Sequence, residues 1–232
     1  LGLTRPTTYR LLCSLSHHGL VAREESGRRY LLGPELALLG KSAAAQKLNL
    51  QKLCEHHVAK IASETGDSAF LMERSGYELV CVNLQMGSYP IKTMTAEVGT
   101  RRALGAGASG IAVLAELDDE EIDVILRACR PALRHFGNTS TTAIRSAMAF
   151  SRKNGYALSD GMVLSSVRGL SVSILDAGEP IGALCVASIR ERIPDARVAS
   201  IVAALRREKV QIERKLQHLA MPHAQTKSLG QT

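Results

Sequence analysis

The sequence predicts an α+β protein built from a small basic head and a larger mixed body. Three observations predict it. A helix with an Arg-bearing side is followed at once by a short basic hairpin within residues 1–33. Beyond it, strand-like runs and helices follow one another without the strict repeat that a parallel sheet requires. The last two strand candidates are joined by Asp176-Ala177-Gly178, a tight turn that makes them an antiparallel pair.

The head opens with "LTRPTTYRLLCSLSHHGLV". Thr4 is placed as an N-cap, its hydroxyl suited to an orphan backbone N–H. Pro6 falls in the first turn, where its missing N–H costs little. Thr8, Leu11, Leu12 and Leu15 share one side at helical spacing and are expected to face a core. Gly19 ends the helix. The remaining side carries Arg5, Thr7, Tyr9 and Arg10, donors suited to phosphate oxygens and base edges. "LVARE" and "RRYLLG" flank the turn "ESGR", which puts Arg28 and Arg29 near the tip of a hairpin. A reading helix followed by a basic wing is a winged helix-turn-helix, here a partial one over 1–33.

"PELALLGKSAAAQKL" is expected to be a linker helix over 34–48 from its Ala and Leu content. The body is expected over 49–220, with a flexible polar tail over 221–232. Its first helix places Leu50, Leu53, Cys54, Val58, Ile61 and Ala62 on one face and ends near Gly66. "SAFLMER", "ELVCVNL" and "YPIKTM" are three strand candidates. Helices are expected at about 108–116, 119–129 and 141–154, then the strands "GYALSD", "RGLSVSILD" and "EPIGALCVASI", then a helix over about 195–217.

Charge separates the parts. The formal net charge of +7 divides into +3 over residues 1–33, −1 over 34–189 and +4 over 190–217, with Lys227 completing the sum. A basic front suits nucleic acid. No uninterrupted apolar run reaches the length of a membrane span. The chain starts without Met and without a basic leader and apolar run, so no secretory signal is read there and the front is expected to be incomplete. The five cysteines form no C-x-x-C pair. They read as reduced, mostly buried thiols of a cytoplasmic protein, with neither disulfides nor a zinc site. His17-His18 and His56-His57 are adjacent, so they cannot share a helix face as metal ligands, and they read as surface residues. No metal or cofactor is expected.

Residues 105–110, "GAGASG", match the glycine pattern of a dinucleotide-binding turn. That turn must follow a buried parallel strand. Here "EVGTRRAL" precedes it, charged and unlike a buried strand. The acid about 20 residues on is Asp123, inside a helix rather than at a strand end. The dinucleotide reading fails.

The string "GLTRPTTYRLLCSLSHHGLVAREESGRRYLLGPELALLG" resembles the IclR family of bacterial transcriptional regulators. The shared features are a Gly-Leu-Ser/Thr start, a Thr-x-Tyr-Arg-Leu-Leu recognition helix, a Gly-Leu/Tyr-Val step and a Tyr-x-Leu-Gly wing exit. The family carries two further helices ahead of this point. The resemblance continues through "GASGIAVLA", with Ile111 where Lys is common, and through "RKNGYALSDGMVLSSVRGLSVSILDAGEPIGALCVASIRERI", with Gly161-Met162 in place of a frequent Glu pair.

The resemblance implies a GAF-like effector-binding domain with an antiparallel sheet. It also implies a homodimer or tetramer on double-stranded operator DNA and a small organic effector that controls it. Ala108 and Ser109 would meet the effector at a helix start, where small side chains allow close approach and N–H groups attract a carboxylate. By position Gly169, Ser171, Cys185 and Ala187 would line the pocket floor, with Asp160 in the acidic stretch nearby. Arg168 is the main basic residue expected close to these motifs, so a multiply charged ligand is not expected. The alternative class is a thiol-dependent enzyme on the same body, with Cys81, Cys129 and Cys185 as nucleophile candidates. A body that only mediates protein contacts would leave the Arg-bearing helix unexplained.

Overall fold

The computed structural model describes residues 2–24, 29–39, 49–137 and 139–220. They fall into two units, Leu1–Asn49 and Leu50–Thr232.

In the first unit helix α1 spans Arg5–His17. Thr4 occupies the N-cap position, but its hydroxyl meets the Thr7 hydroxyl at 2.9 Å instead of capping a backbone N–H. Strands β1 (Val21–Arg23) and β2 (Tyr30–Leu32) pair antiparallel. Gly33 closes the hairpin against the helix exit, and a Cβ there would lie 1.9 Å from the Gly19 carbonyl oxygen. The expected core side of α1 is not covered: Leu11 and Leu15 are exposed, because one three-residue hairpin offers too little surface. Arg5, Tyr9, Arg10 and Arg29 are exposed and Thr7 is half-buried. Residues 34–39 are helical. The rest of the expected linker helix, the turn with Arg28 and the tail over 221–232 lie outside the described residues.

In the second unit α2 spans Leu50–Thr65, and the helix α6 spans Asp195–Ala220. Between them come strands β3 (Ser68–Ser75), β4 (Glu78–Gln85) and β5 (Arg101–Ala103). Helices α3 (Gly107–Leu114), α4 (Asp119–Leu133) and α5 (Thr141–Asn154) follow. Strands β6 (Ala157–Asp160), β7 (Val167–Asp176) and β8 (Glu179–Ile189) complete the sheet. Its order is β5-β4-β3-β8-β7-β6 and every pairing is antiparallel. Helices and an antiparallel sheet together make the unit α+β.

Alternation along the strands divides the core in two. Leu71, Leu170, Val172, Leu184 and Val186 face α2 and α6. Phe70, Met72, Ala183, Cys185 and Ala187 face α3 and the helices beyond it. Two helices of that second layer are capped as their sequences dictate. The Asp118 carboxylate accepts from Glu121 N–H at 2.8 Å, and the Ser140 hydroxyl accepts from Ala143 N–H at 3.2 Å.

Two expectations fail here. "YPIKTM" forms no strand. Pro90 lacks an N–H, and the segment ties back elsewhere: Tyr89 N–H donates to Gly66 O at 2.9 Å and Lys92 Nζ donates to Gly87 O. The neighbour of β4 is instead β5, inside the stretch read as a charged lead-in. His57 is also no surface residue, being 1% exposed between α2 and α6. Its Nδ1 lies 2.8 Å from Glu208 Oε2, and its Nε2 lies 2.9 Å from Lys215 Nζ. Glu208, itself buried, also takes Lys60 at 2.9 Å and Arg207 at 3.0 Å.

Candidate effector pocket

The "GAGASG" turn folds as its glycines require. Gly105 and Gly107 sit at φ +100° and +71°, conformations that side-chain-bearing residues rarely adopt. Gly110 lies where a Cβ would come within 2.8 Å of the Gly105 nitrogen, so α3 presses its first turn onto the loop that starts it. The residue before α3 is Ala106, and no side chain caps the helix. Gly107 N–H reaches only the Met162 sulfur, at 3.0 Å, a weak acceptor.

A pocket opens between this helix start and the sheet. It encloses about 530 Å³ counted out through its mouth, the size range of a small-molecule site. Ala106, Gly107, Ala108 and Ser109 form one wall, and Gly169, Cys185 and Ala187 form the floor. Phe70, Met72 and Leu79 come from β3 and β4, Thr95 and Ala96 from the irregular segment before β5, Val163 from the stretch leading into β7 and Val167 from the start of that strand.

Among the described residues one charged side chain lines this pocket: Arg102 of β5. It stands opposite Leu79 and shares its face, whereas Arg101 turns outward to Glu78 at 2.7 Å and Ser75 at 3.1 Å. Among the described residues no carboxylate or carbonyl partners the Arg102 guanidinium. Desolvation weakens its hold on its proton, against the opposing influence of the neighbouring Cys185 and Cys81.

Burial pushes the Cys185 thiol up to about 11, against the opposing pull of a hydrogen bond from Ser109 and of Arg102. Burial likewise raises Cys81 and Cys129, and holds Cys54 at about 12. Cys81 Sγ donates to Asn83 O at 3.6 Å and Cys129 Sγ to Tyr77 O at 3.4 Å. All four are protonated near neutral pH, because burial outweighs the pull of any neighbouring cation. Among the described residues no three His, Cys, Asp or Glu side chains converge as metal ligands, and no helix is long and apolar enough to cross a membrane.

The model of the C-terminal domain of the bacterial transcriptional regulator IclR matches residues 42–214. The chain belongs to the IclR family.

Relatives agree with that placement. The transcriptional repressor IclR of Escherichia coli (strain K12) is 26% identical over 206 residues, covering 87% of this chain and 74% of that protein. The regulator KipR of Bacillus subtilis (strain 168) is 24% identical over 219 residues, covering 93% and 86%. Among solved structures, an IclR-type regulator from Silicibacter sp. TM1040 superposes with a TM-score of 0.81 at 27% identity, covering 93% of this chain and 85% of that one. An IclR homologue from Microbacterium hydrocarbonoxydans, solved with 4-hydroxybenzoate, has a TM-score of 0.70 at 22% identity, covering 93% and 87%.

Within this IclR-family fold, five of the seven residues expected around the effector line one pocket: Ala108, Ser109, Gly169, Cys185 and Ala187. Ser171 does not. It lies fully buried one step deeper on β7, giving its proton to Leu184 O at 2.7 Å, with Ser109 Oγ 3.4 Å away. Asp160 does not either. On β6 the inward position belongs to Ser159, while Asp160 turns outward to Arg190 at 2.8 Å and toward Arg168 at 3.8 Å. Arg168 is likewise outside the pocket, donating to Ile193 O at 2.8 Å and to Asp195 at 2.7 Å. The basic residue of the pocket is Arg102, which the sequence reading missed. The signal available was the "RR" pair in "GTRRAL", one member of which must face inward if the stretch is a strand.

Proposed function

We propose that this IclR-family regulator binds double-stranded operator DNA as a homodimer or tetramer, and that a small organic acid in the pocket controls that binding. The pocket carries the reading. Small residues at an uncapped helix start let a ligand oxygen approach backbone N–H groups, and the helix end favours negative charge by about 0.3–1 kcal/mol, more when partly buried. The Microbacterium homologue, solved with 4-hydroxybenzoate, supports an organic acid as the class of effector. The E. coli relative is named a repressor, and repression is the sense proposed here. For the head, the exposed Arg5, Tyr9 and Arg10 with Thr7 and the wing residue Arg29 support DNA reading, and Arg28 is assigned to it from sequence. Half-sites about one helical turn apart require paired heads. Control requires the effector to bind two arrangements of the protein with different affinity.

The test is selection of binding sites from random duplexes, followed by anisotropy titrations with and without organic acids. The expected result is a palindromic site whose affinity changes when an acid is added. No enrichment over an Arg5→Ala, Arg10→Ala variant sinks the DNA reading. An enriched site indifferent to every acid that binds the protein sinks the control.

A further inference from the structure

We propose that Arg102 reads the charge of the effector, and that the pocket selects a singly charged carboxylate with an apolar body. This rests on the reading of the pocket as the effector site.

The first ground is the isolation of the charge. A guanidinium carries five N–H donors and cannot shed its proton to escape burial. Other partly buried arginines of this unit have protein acceptors. Arg197 bonds Asp67, Arg192 O and Thr65 O. Arg152 bonds Ala115 O, Leu117 O and Asp119. Arg74 bonds Glu121 at 2.6 Å. Arg102, half-buried in the pocket wall, has given up part of its water without gaining a protein acceptor among the described residues. A partly desolvated guanidinium that keeps its donors free is open to an acceptor that enters the pocket.

The second ground is the charge balance of the wall. With Cys185 held as a thiol, Arg102 is the one ion of that wall among the described residues. One carboxylate neutralises it. A dianion would bring a second charge into a wall that otherwise offers hydroxyls and hydrocarbon, and a neutral ligand would leave the guanidinium unpaired. Phe70, Met72, Leu79 and Val167 provide an apolar bed for the remainder of the molecule.

The third ground is convergence. Arg102 of β5, Cys185 of the floor and Ser109 in the first turn of α3 line the same pocket. The guanidinium and the helix start thus border one cavity from two walls. A carboxylate there can take the fork of Arg102 on its two oxygens and the Ser109 hydroxyl besides.

The experiment is calorimetric titration of the whole chain with straight-chain monocarboxylates from acetate to octanoate and with benzoate. Each acid is compared with its primary amide, and with succinate and adipate as dianions. Wild type, Arg102→Met and Arg102→Lys are measured together. At least one monocarboxylate is expected to bind wild type, with its amide and the dianions at least tenfold weaker. Arg102→Met should weaken that acid about 10- to 100-fold, the range of a hydrogen bond to a charged group. Arg102→Lys should recover part of the loss. The unliganded Arg102→Met protein should melt at or above the wild-type temperature, and a drop of several degrees would make Arg102 a structural residue. Acids binding wild type and Arg102→Met alike, or amides matching acids, overturn the proposal and leave the pocket as the effector site. No binding by any of these compounds at millimolar concentration overturns both.

Discussion

Replacing Glu208 by Gln should cost the second unit about 3 kcal/mol at neutral pH. Burial pushes this carboxyl upward, but hydrogen bonds from His57, Lys60 and Arg207 outweigh burial and hold it at about 2, against an ordinary 4.5. A depression of that size is worth about 3 kcal/mol of folding free energy. The sign follows from the direction. A carboxyl depressed in the folded state contributes fully above its unfolded value, near 4.5, and the contribution is lost as pH falls toward 2. Glutamine keeps the shape and one acceptor oxygen but no charge, so it leaves Lys60 without its anion, Arg207 with Glu64 alone and His57 with a neutral partner. In a body of this size 3 kcal/mol corresponds to a melting temperature lower by roughly 6–12 °C. Calorimetric melting of wild type and Glu208→Gln at pH 7, 5, 4 and 3 checks it. The gap should be widest at pH 7 and 5 and shrink below, because only the wild type takes up a proton there. A gap under about 2 °C at pH 7, or one that stays constant down to pH 3, would refute the electrostatic account.

Three other outcomes follow from the geometry. A Cβ added at Gly169 would lie 3.7 Å from Ala108 Cβ and 4.0 Å from Cys185 Sγ, ordinary contacts, so Gly169→Ala should fold normally yet narrow the pocket floor. Acid binding weakened about tenfold or more with melting unchanged is the expected pair of results; wild-type affinity would move the ligand away from the floor. Replacing Arg5 and Arg10 together by Ala should reduce the discrimination of the selected operator by about 1–3 kcal/mol per base-reading side chain; unchanged affinity and specificity would remove α1 from the DNA interface. Iodoacetamide at pH 8 should label the exposed Cys13 and spare Cys185, since with a value of about 11 only about one Cys185 in a thousand is thiolate there. Mass spectrometry showing Cys185 modified as fast as Cys13 would contradict that.

Much of the body was legible because its long elements carry clear periods. The hairpin of β7 and β8, the helices α5 and α6 and the glycine turn opening α3 stand close to where spacing and turn chemistry put them. The pocket was legible on those elements and misread elsewhere. Ser159 and Asp160 are neighbours on a four-residue strand, too short for alternation to say which faces in, and the acid drew attention for its chemistry. Arg168, expected near the motifs, is the chain neighbour of the inward Gly169 on β7, so alternation turns it away from the pocket. Arg102 lies on a strand of three residues, where no period exists to be read. Thr95 and Ala96 reach the pocket from an irregular segment fixed by contacts with the turn at Gly66. His57 was misjudged because its partner, Glu208, is 151 residues away, and a buried imidazole looks like a surface one until that partner is known.

The sheet has a consequence for how such a protein can change. Gly169, Cys185 and Ala187 touch the pocket, while their chain neighbours Leu170, Leu184 and Val186 belong to the layer under α2 and α6. Adjacent codons therefore answer to different selective demands. A lineage meeting a new metabolite can exchange side chains at every second position of β3, β7 and β8 and keep the opposite layer intact. Ligand preference can then drift quickly while foldability stays put, and a library confined to residues 70, 72, 169, 185 and 187 would sample new specificities at small cost in correctly folded clones.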